Sequence, residues 1–394
     1  ENYYLYVDIF NIFRHVSGKR RNHRHKFILM AQSSNKPYND LPHLPPDAKI
    51  ETSEILKAAI SANRVLAELK GKAETIPNQS ILINSIILQE AKASSEIENV
   101  ITTNDRLYEA FAAEDRNYDP QTKEVLRYRE ALWEGFNALK DRPLSTNLFI
   151  KLVQTIKQNE AGIRNTPGTV IANPNTNNII YWPPEGEERI RKLLSNLENY
   201  IHDEDNDLDP LVKMGVIHYQ FEAIHPFDDG NGRAGRILNI LFLVMKGLLN
   251  LPILYLSEYI IHRKSDYYRL LREVTEKNAW EPWLLFMLDA VQVTAGEAMQ
   301  RINDIRELMD KTLEKAREEL PNRVYSKELI ELLFEQPYCK IKFLVEHGIA
   351  KRQTAGDYLS ELEKAGILKS KKVGREQLYL NTELYELLSG GSKA

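Results

Sequence analysis

The run His225-Pro-Phe-Asp-Asp-Gly-Asn-Gly-Arg-Ala-Gly-Arg236 stands between an apolar stretch ending at Ile224 and another from Ile237 to Leu249. Both stretches read as helices, so the run lies at the N-terminus of a buried helix. Unbonded backbone N–H groups and the helix dipole favour an anion there. Gly230, Gly232 and Gly235 carry no Cβ and allow a phosphate to approach the backbone. Arg233 and Arg236 offer two guanidinium forks for phosphate oxygens. Asp229 is a hard oxygen ligand suited to Mg²⁺, which binds through one or two carboxylates plus substrate phosphates. His225 has the pKa class of a general base. A plain helix–helix turn would need its glycines only for turning and would leave its arginines solvated. It does not require a base, a metal ligand, an anion cradle and two clamps together.

Outward from this run, Thr169-Val170-Ile171-Ala172 and Ile179-Ile180-Tyr181-Trp182 are β-branched or aromatic, with Asn173 to Asn178 between them. That pattern reads as a hairpin. Helices are expected over Glu187–His202, and from the Asp209 cap and Pro210 to Ile224. Upstream, Glu51 to Leu139 is rich in helix formers. Thr52 or Ser53 caps a first helix, Ser80 caps a second through Ile81, Ile83, Ile87 and Leu88, and Glu124–Leu139 forms another. Ser145 or Thr146 opens the next, which ends near Gly162. Downstream, Glu297–Glu319 suits a connecting helix stopped by Pro321. Ser326–Phe334, Ile341–His347 and Arg352–Ala365 then read as three helices, followed by strands at Ile367–Lys369 and Gln377–Leu380. That order is a winged helix-turn-helix pattern.

The run at 225–236 resembles the signature of the Fic family, HPF-x-[DE]-GNGR-x-x-R, with every defining position filled. The resemblance extends over roughly residues 50 to 290: the hairpin resembles the family's flap, and the stretches Tyr255 to Leu271 and Trp280 to Trp283 resemble its later helices. It implies an all-α fold class, a Fic-type helical core with a β-hairpin flap, plus a C-terminal winged helix-turn-helix domain. The implied activity is transfer of AMP from ATP to a protein hydroxyl. His225 would deprotonate the target hydroxyl, and Asp229 would hold Mg²⁺ between the α- and β-phosphates. The backbone of Gly230, Asn231 and Gly232 would cradle the α-phosphate. Arg233 would meet the β-phosphate and Arg236 the γ-phosphate. Relatives that transfer the terminal phosphate have lysine where Gly232 stands, so AMP transfer is favoured. The flap residues Thr169, Val170, Ile171, Ile179, Ile180 and Tyr181 would pair with an extended target segment through main-chain hydrogen bonds.

Ser94-Ser-Glu-Ile-Glu98-Asn99 resembles the family's inhibitory motif, [ST]-x-x-x-E-[GN]. On a helix Ser94 and Glu98 share a face, and the resemblance implies that Glu98 grips Arg236 and keeps it from the γ-phosphate. Glu98 could also orient a water, in which case the enzyme would remove AMP as well as add it. The expected organisation is an N-terminal extension outside the fold (1–29), a helical region with the inhibitory helix (30–120), the catalytic core (121–295), the connecting helix (296–320) and the winged-helix domain (321–394).

Bulk properties bound the partners. The 394 residues are 43% hydrophobic and 27% charged with net charge −4, which suits a globular protein and gives no whole-chain case for nucleic acid or membrane. A single cysteine, Cys339, excludes an internal disulfide and fits a reducing, cytoplasmic setting. Arg14 to Lys26 holds six Lys/Arg after an aromatic opening, the wrong order for a secretory signal. The expected partner is a protein with an exposed Ser, Thr or Tyr; self-modification and a homodimer stay open. DNA is the lesser alternative, resting on nine Lys/Arg against five Asp/Glu over 338–376.

Overall fold

Helices form where apolar residues recur at helical spacing and stop at capping residues, and they make up most of the chain, with two small antiparallel sheets. The computed structural model describes residues 5–6, 36–76, 78–113, 118–172, 179–205 and 207–390. No helix among them is long and apolar enough to cross a membrane. The chain divides into two units, one of Glu1–Ala59, Ala138–Phe242 and Arg263–Leu288, the other of Ile60–Asn137, Leu243–His262 and Asp289–Ala394.

The first unit carries the 225–236 run. Here β1 (Leu5–Tyr6), β2 (Ile171–Ala172) and β3 (Ile179–Tyr181) form a sheet in that order. Leu5 pairs with Ala172 and Tyr6 with Ile171, so two residues of the segment expected to lie outside the fold take part in this sheet. The expected hairpin is shorter than its sequence pattern. Thr169 and Val170 precede the strand, β2 and β3 pair through an irregular register at Ile171/Ala172, and the turn at 173–178 lies outside the described residues. α1 (Ser53–Ala73) begins in this unit, where the Ile55 N–H donates to the Thr52 hydroxyl at 3.3 Å. α5 (Thr146–Lys157) is capped by Ser145 and joined to α6 (Glu187–His202) by the Glu198 carboxylate, which accepts from the Thr146 N–H at 2.9 Å and its hydroxyl at 3.0 Å.

α7 (Pro210–Ile224) and α8 (Asn231–Met245) are the central pair of this unit. Asp209 caps α7 by accepting from Leu211 N–H at 2.8 Å, and Pro210 occupies the first turn, where no N–H is needed. α7 is buried on nearly every side. One reason is Gly215: a Cβ there would come within 2.8 Å of Leu284, and the Gly215 carbonyl accepts from the Trp283 indole at 2.9 Å. His218 stacks on Trp283, with ring centroids 5.9 Å apart, and its Nε2 lies 2.8 Å from the hydroxyl of Tyr267 on α10 (Lys264–Lys277).

In the second unit, α2 (Gln79–Ile97) sets the buried Glu90 against α4 (Pro120–Ala138) and α9 (Leu256–His262), while Gln89 donates to Tyr108 of α3 (Asn104–Ala112) at 2.7 Å. The Glu90 carboxylate accepts from Ser257 N–H at 3.0 Å, Ser257 hydroxyl at 2.5 Å and Tyr128 hydroxyl at 2.8 Å. Asn78, not Ser80, caps α2. The expected connecting helix is the second part of α11, an unbroken 40-residue helix from Trp280 to Glu319. Beyond it lie α12 (Lys327–Leu332), β4 (Tyr338–Cys339), α13 (Ile341–Glu346), α14 (Arg352–Lys364), β5 (Lys369–Val373), β6 (Glu376–Leu380) and α15 (Thr382–Leu388). The strands order as β4-β6-β5. Asp105 and Glu109 on α3 hold Lys371 of β5 at 2.9 and 3.2 Å, and Asp105 also accepts from the Tyr338 hydroxyl at 2.5 Å.

Candidate active site

α7 stops at His225 because Pro226 follows, and a proline disfavours helical backbone in the residue before it. His225 takes the left-handed conformation, φ 51° and ψ 60°, while its N–H still closes the last turn to Phe221 O at 3.0 Å. For a side chain other than glycine that conformation costs about 1–2 kcal/mol, so the surroundings must enforce it. Arg164 does so. Its Nε donates to His225 O at 2.7 Å, its Nη2 to Ile224 O at 3.3 Å and Pro184 O at 2.6 Å, and its backbone N–H to Pro226 O at 3.0 Å.

The loop then folds on itself. Phe227 is fully buried beside Phe221. Asn231 grips it from both sides, Oδ1 accepting from Phe227 N–H at 2.8 Å and Nδ2 donating to Phe227 O at 2.7 Å. The Asn231 side chain is thereby committed, and what it can offer an anion is its backbone N–H at the start of α8. Gly230 has φ +88° with only ordinary contacts around its absent Cβ, so backbone conformation rather than crowding requires glycine. Gly235 is different from expectation. A Cβ there would overlap the Glu222 carboxylate and reach 3.1 Å from the Phe221 ring, so this glycine serves the packing of α8 on α7 rather than phosphate approach.

Burial, reinforced by the Arg164 charge, pushes the His225 imidazole down to about 3, against the opposing pull of the Glu222 carbonyl and the Asp229 charge. The imidazole is therefore neutral at physiological pH. Asp229 sits at the loop's exposed rim. Burial pulls its carboxyl upward, but Lys157 Nζ at 2.5 Å, Arg233 at 3.6 Å and the Gly230 N–H together hold it below the ordinary range. Arg233 and Arg236 are 2% and 1% exposed, unusually deep for arginine. Among the described residues no group of three or more His, Cys, Asp or Glu could hold a metal. Magnesium does not need one when phosphates supply the remaining oxygens, and the half-exposed Asp229 fits that role.

The structure thus gathers His225, Asp229, Gly230, Asn231, Gly232, Arg233 and Arg236 at one helix junction of the first unit, with the flap strands in the same unit. Tyr181 ties the flap to α7 by donating to Ala223 O at 2.8 Å. Ser94, Glu98 and Asn99 belong to the second unit. There Ser94 is buried, Glu98 closes α2, and Asn99 takes φ 61° just past the helix end. Val100 N–H bonds back to Ser95 O at 3.0 Å. Asparagine enters that conformation more readily than most residues, which suits Asn99 to this place. Two residues escaped sequence reasoning. Arg164 follows Gly162-Ile163 in an irregular stretch with no periodic signal, and Lys157 looks like any basic residue in a last helical turn.

Comparison with known proteins follows the same geography. The Fic/DOC family profile matches residues 143–243, the Fic/DOC family N-terminal profile 56–137, and the profile of the C-terminal domain of SoFic-like protein adenylyltransferases 308–384. A probable protein adenylyltransferase of Aquifex aeolicus is 41% identical over 71 residues, 18% of this chain and 22% of that protein. The protein adenylyltransferase Fic of Drosophila grimshawi is 28% identical over 123 residues, 31% of this chain and 24% of that protein. The chain therefore spans about a quarter or less of these relatives' length. A solved Fic family protein from Desulfovibrio desulfuricans G20 superposes with TM-score 0.51 at 19% identity, covering 84% of this chain and 97% of that one, a likeness of fold.

Proposed function

The chain belongs to the Fic/DOC family, and from that premise we propose that it transfers AMP from ATP to a hydroxyl side chain of a protein. The observation that carries this reading is a neutral, buried His225 a few residues before a helix N-terminus whose first two turns hold the equally buried Arg233 and Arg236. In the transfer, His225 takes the proton of the target hydroxyl. The hydroxyl oxygen forms a bond to the α-phosphorus, the bond from that phosphorus to the β-phosphate bridging oxygen breaks, and pyrophosphate leaves. The N–H groups of Gly230, Asn231 and Gly232 face the charge that develops on the α-phosphate. Arg233 and Arg236 bind the outer phosphates. Asp229 would hold Mg²⁺, which supplies neutralisation of phosphate charge when bound; Lys157 would then turn from Asp229 toward a phosphate. The flap would dock an extended target segment along β3, the last strand of its sheet, short of the Trp182 carbonyl that already accepts from Tyr38 N–H at 2.8 Å.

The proposal extends to a brake. Glu98 would compete with the ATP γ-phosphate for Arg236, supported by the buried Ser94, the Asn99 turn and the Glu90 anchor that fixes α2. DNA recognition by the C-terminal helices gains nothing from the structure. Lys340, Lys342, Lys364 and Lys371, four of its nine basic residues, are paired with carboxylates. Incubation with α-labelled ATP, Mg²⁺ and cell lysate tests the reading: label should appear on protein, and His225→Ala should abolish it. Label that follows the γ-phosphate instead, or persists in His225→Ala, would overturn it. The same gel reports self-modification.

A further inference from the structure

Arg164 is 2% exposed and satisfies three consecutive carbonyls, those of Ile224, His225 and Pro226. The first two lie at the C-terminal end of α7, where carbonyls lack intrahelical donors and a cation is favoured. The same guanidinium donates to Pro184 O at 2.6 Å, three residues beyond β3. One planar group thereby ties the carbonyls of Ile224 and His225 to the root of the flap, while the Arg164 backbone N–H holds Pro226 O just beyond them. Lysine could not reproduce this, because its single ammonium lacks the rigid fork that spans two segments.

We propose that Arg164 is a positioning residue of the transfer reaction: it fixes the backbone of His225 and the root of the flap to each other, so that base and docked hydroxyl meet in register. This rests on the reading of His225 as the base. Misplacement of a reacting group by an ångström costs up to about 100-fold in rate. The loss should therefore fall on turnover rather than on ATP binding, since the carbonyls Arg164 holds belong to the end of α7, Pro226 and the flap root, whereas ATP is read at the N-terminus of α8.

The test uses the full chain with Arg164→Lys and Arg164→Ala, each also combined with Glu98→Gly so that the proposed brake does not mask turnover. Folding is followed by thermal melting, ATP affinity and stoichiometry by calorimetry, and turnover by α-labelled ATP with the chain as its own acceptor. Expected are ATP affinity within about 3-fold of the parent and kcat lower by about 10- to 100-fold. Guanidinium ion at non-denaturing concentration should partly rescue Arg164→Ala. The proposal is overturned if folded variants keep parental kcat, if activity falls only in proportion to the ATP-binding fraction, or if both variants fail to fold, each of which assigns Arg164 to the core alone. His225→Ala separates the two readings. If it transfers normally, the base assignment fails; if it is inactive while the Arg164 variants are normal, only the positioning role fails.

Discussion

At the scale of single residues, the site is a set of side chains whose environments differ more than their identities suggest. His225 is driven to about 3 by burial and by Arg164, so it is unprotonated across the physiological range. His225→Ala should lower transfer by about 10²–10⁴-fold, the usual contribution of a general base. A folded variant with near-normal turnover would remove it from that role. Asn231→Ala makes a different prediction. It strips partners from both the N–H and the carbonyl of buried Phe227, at about 1–3 kcal/mol for each polar group left unsatisfied. Urea denaturation should show that loss, whereas a mere phosphate ligand would leave stability intact and weaken only ATP binding. The motif's residue types were legible in the sequence because each has a chemistry of its own. Arg164 and Lys157 were not, because their importance comes from carbonyls and a carboxylate brought near by folding. The double use of Asn231, side chain inward and N–H outward, is equally invisible before the loop is built.

At the scale of elements, legibility followed the caps. α6 and α7 have their expected limits since Asp209-Pro210 and the acidic first turn of α6 are local signals. α11 was divided in sequence because its composition turns from apolar to charged near Glu297, yet no Pro or cap interrupts it. The flap was read too long, as β-branched residues mark strand propensity but pairing sets strand ends. Gly235→Ala tests how tightly α7 and α8 meet. The added methyl must displace the Glu222 carboxylate and crowd Phe221, an overpacking cost of about 1–3 kcal/mol; unchanged stability by thermal melting would show that Glu222 simply swings away. For α2 the prediction is a gain. If Glu98 blocks Arg236 with a charged hydrogen bond of about 1.5–3 kcal/mol, Glu98→Gly should raise AMP transfer by roughly 10- to 150-fold. Glu98→Gln controls for loosening of the helix end, which glycine weakens by about 1 kcal/mol. Equal rates in wild type and both variants at saturating ATP would leave residues 94–99 as only a helix end.

At the scale of the whole molecule, two buried histidines make stability depend on pH in a direction that can be worked out. Burial also pushes His218 down to about 3, assisted by the nearby Arg236 charge and opposed by a Gly235 backbone contact. In the unfolded chain both His218 and His225 return to an ordinary value of about 6.5. Above that pH neither state carries the proton, and the two groups contribute nothing to the pH slope. As pH falls from about 6.5 toward 3, the unfolded chain takes up protons that the folded chain refuses, so the folded state loses stability. The loss approaches about 1.4 kcal/mol per pH unit for each histidine. Depressed carboxylates such as Asp229 add their own loss only as pH falls toward the ordinary carboxylate range, near 4. The window between about pH 6.5 and 5.5 therefore reports chiefly the histidines. Urea unfolding at about pH 7.5, 6.5 and 5.5 should show a decline over the lower interval, and His218→Gln should remove about half of the slope at some cost in absolute stability from the lost Tyr267 partner. A decline equally steep in His218→Gln would mean that His218 already binds a proton in the folded chain. The stacked Trp283 and the Arg236 charge would then have to tolerate a second buried cation, which the packing around α7 does not provide for.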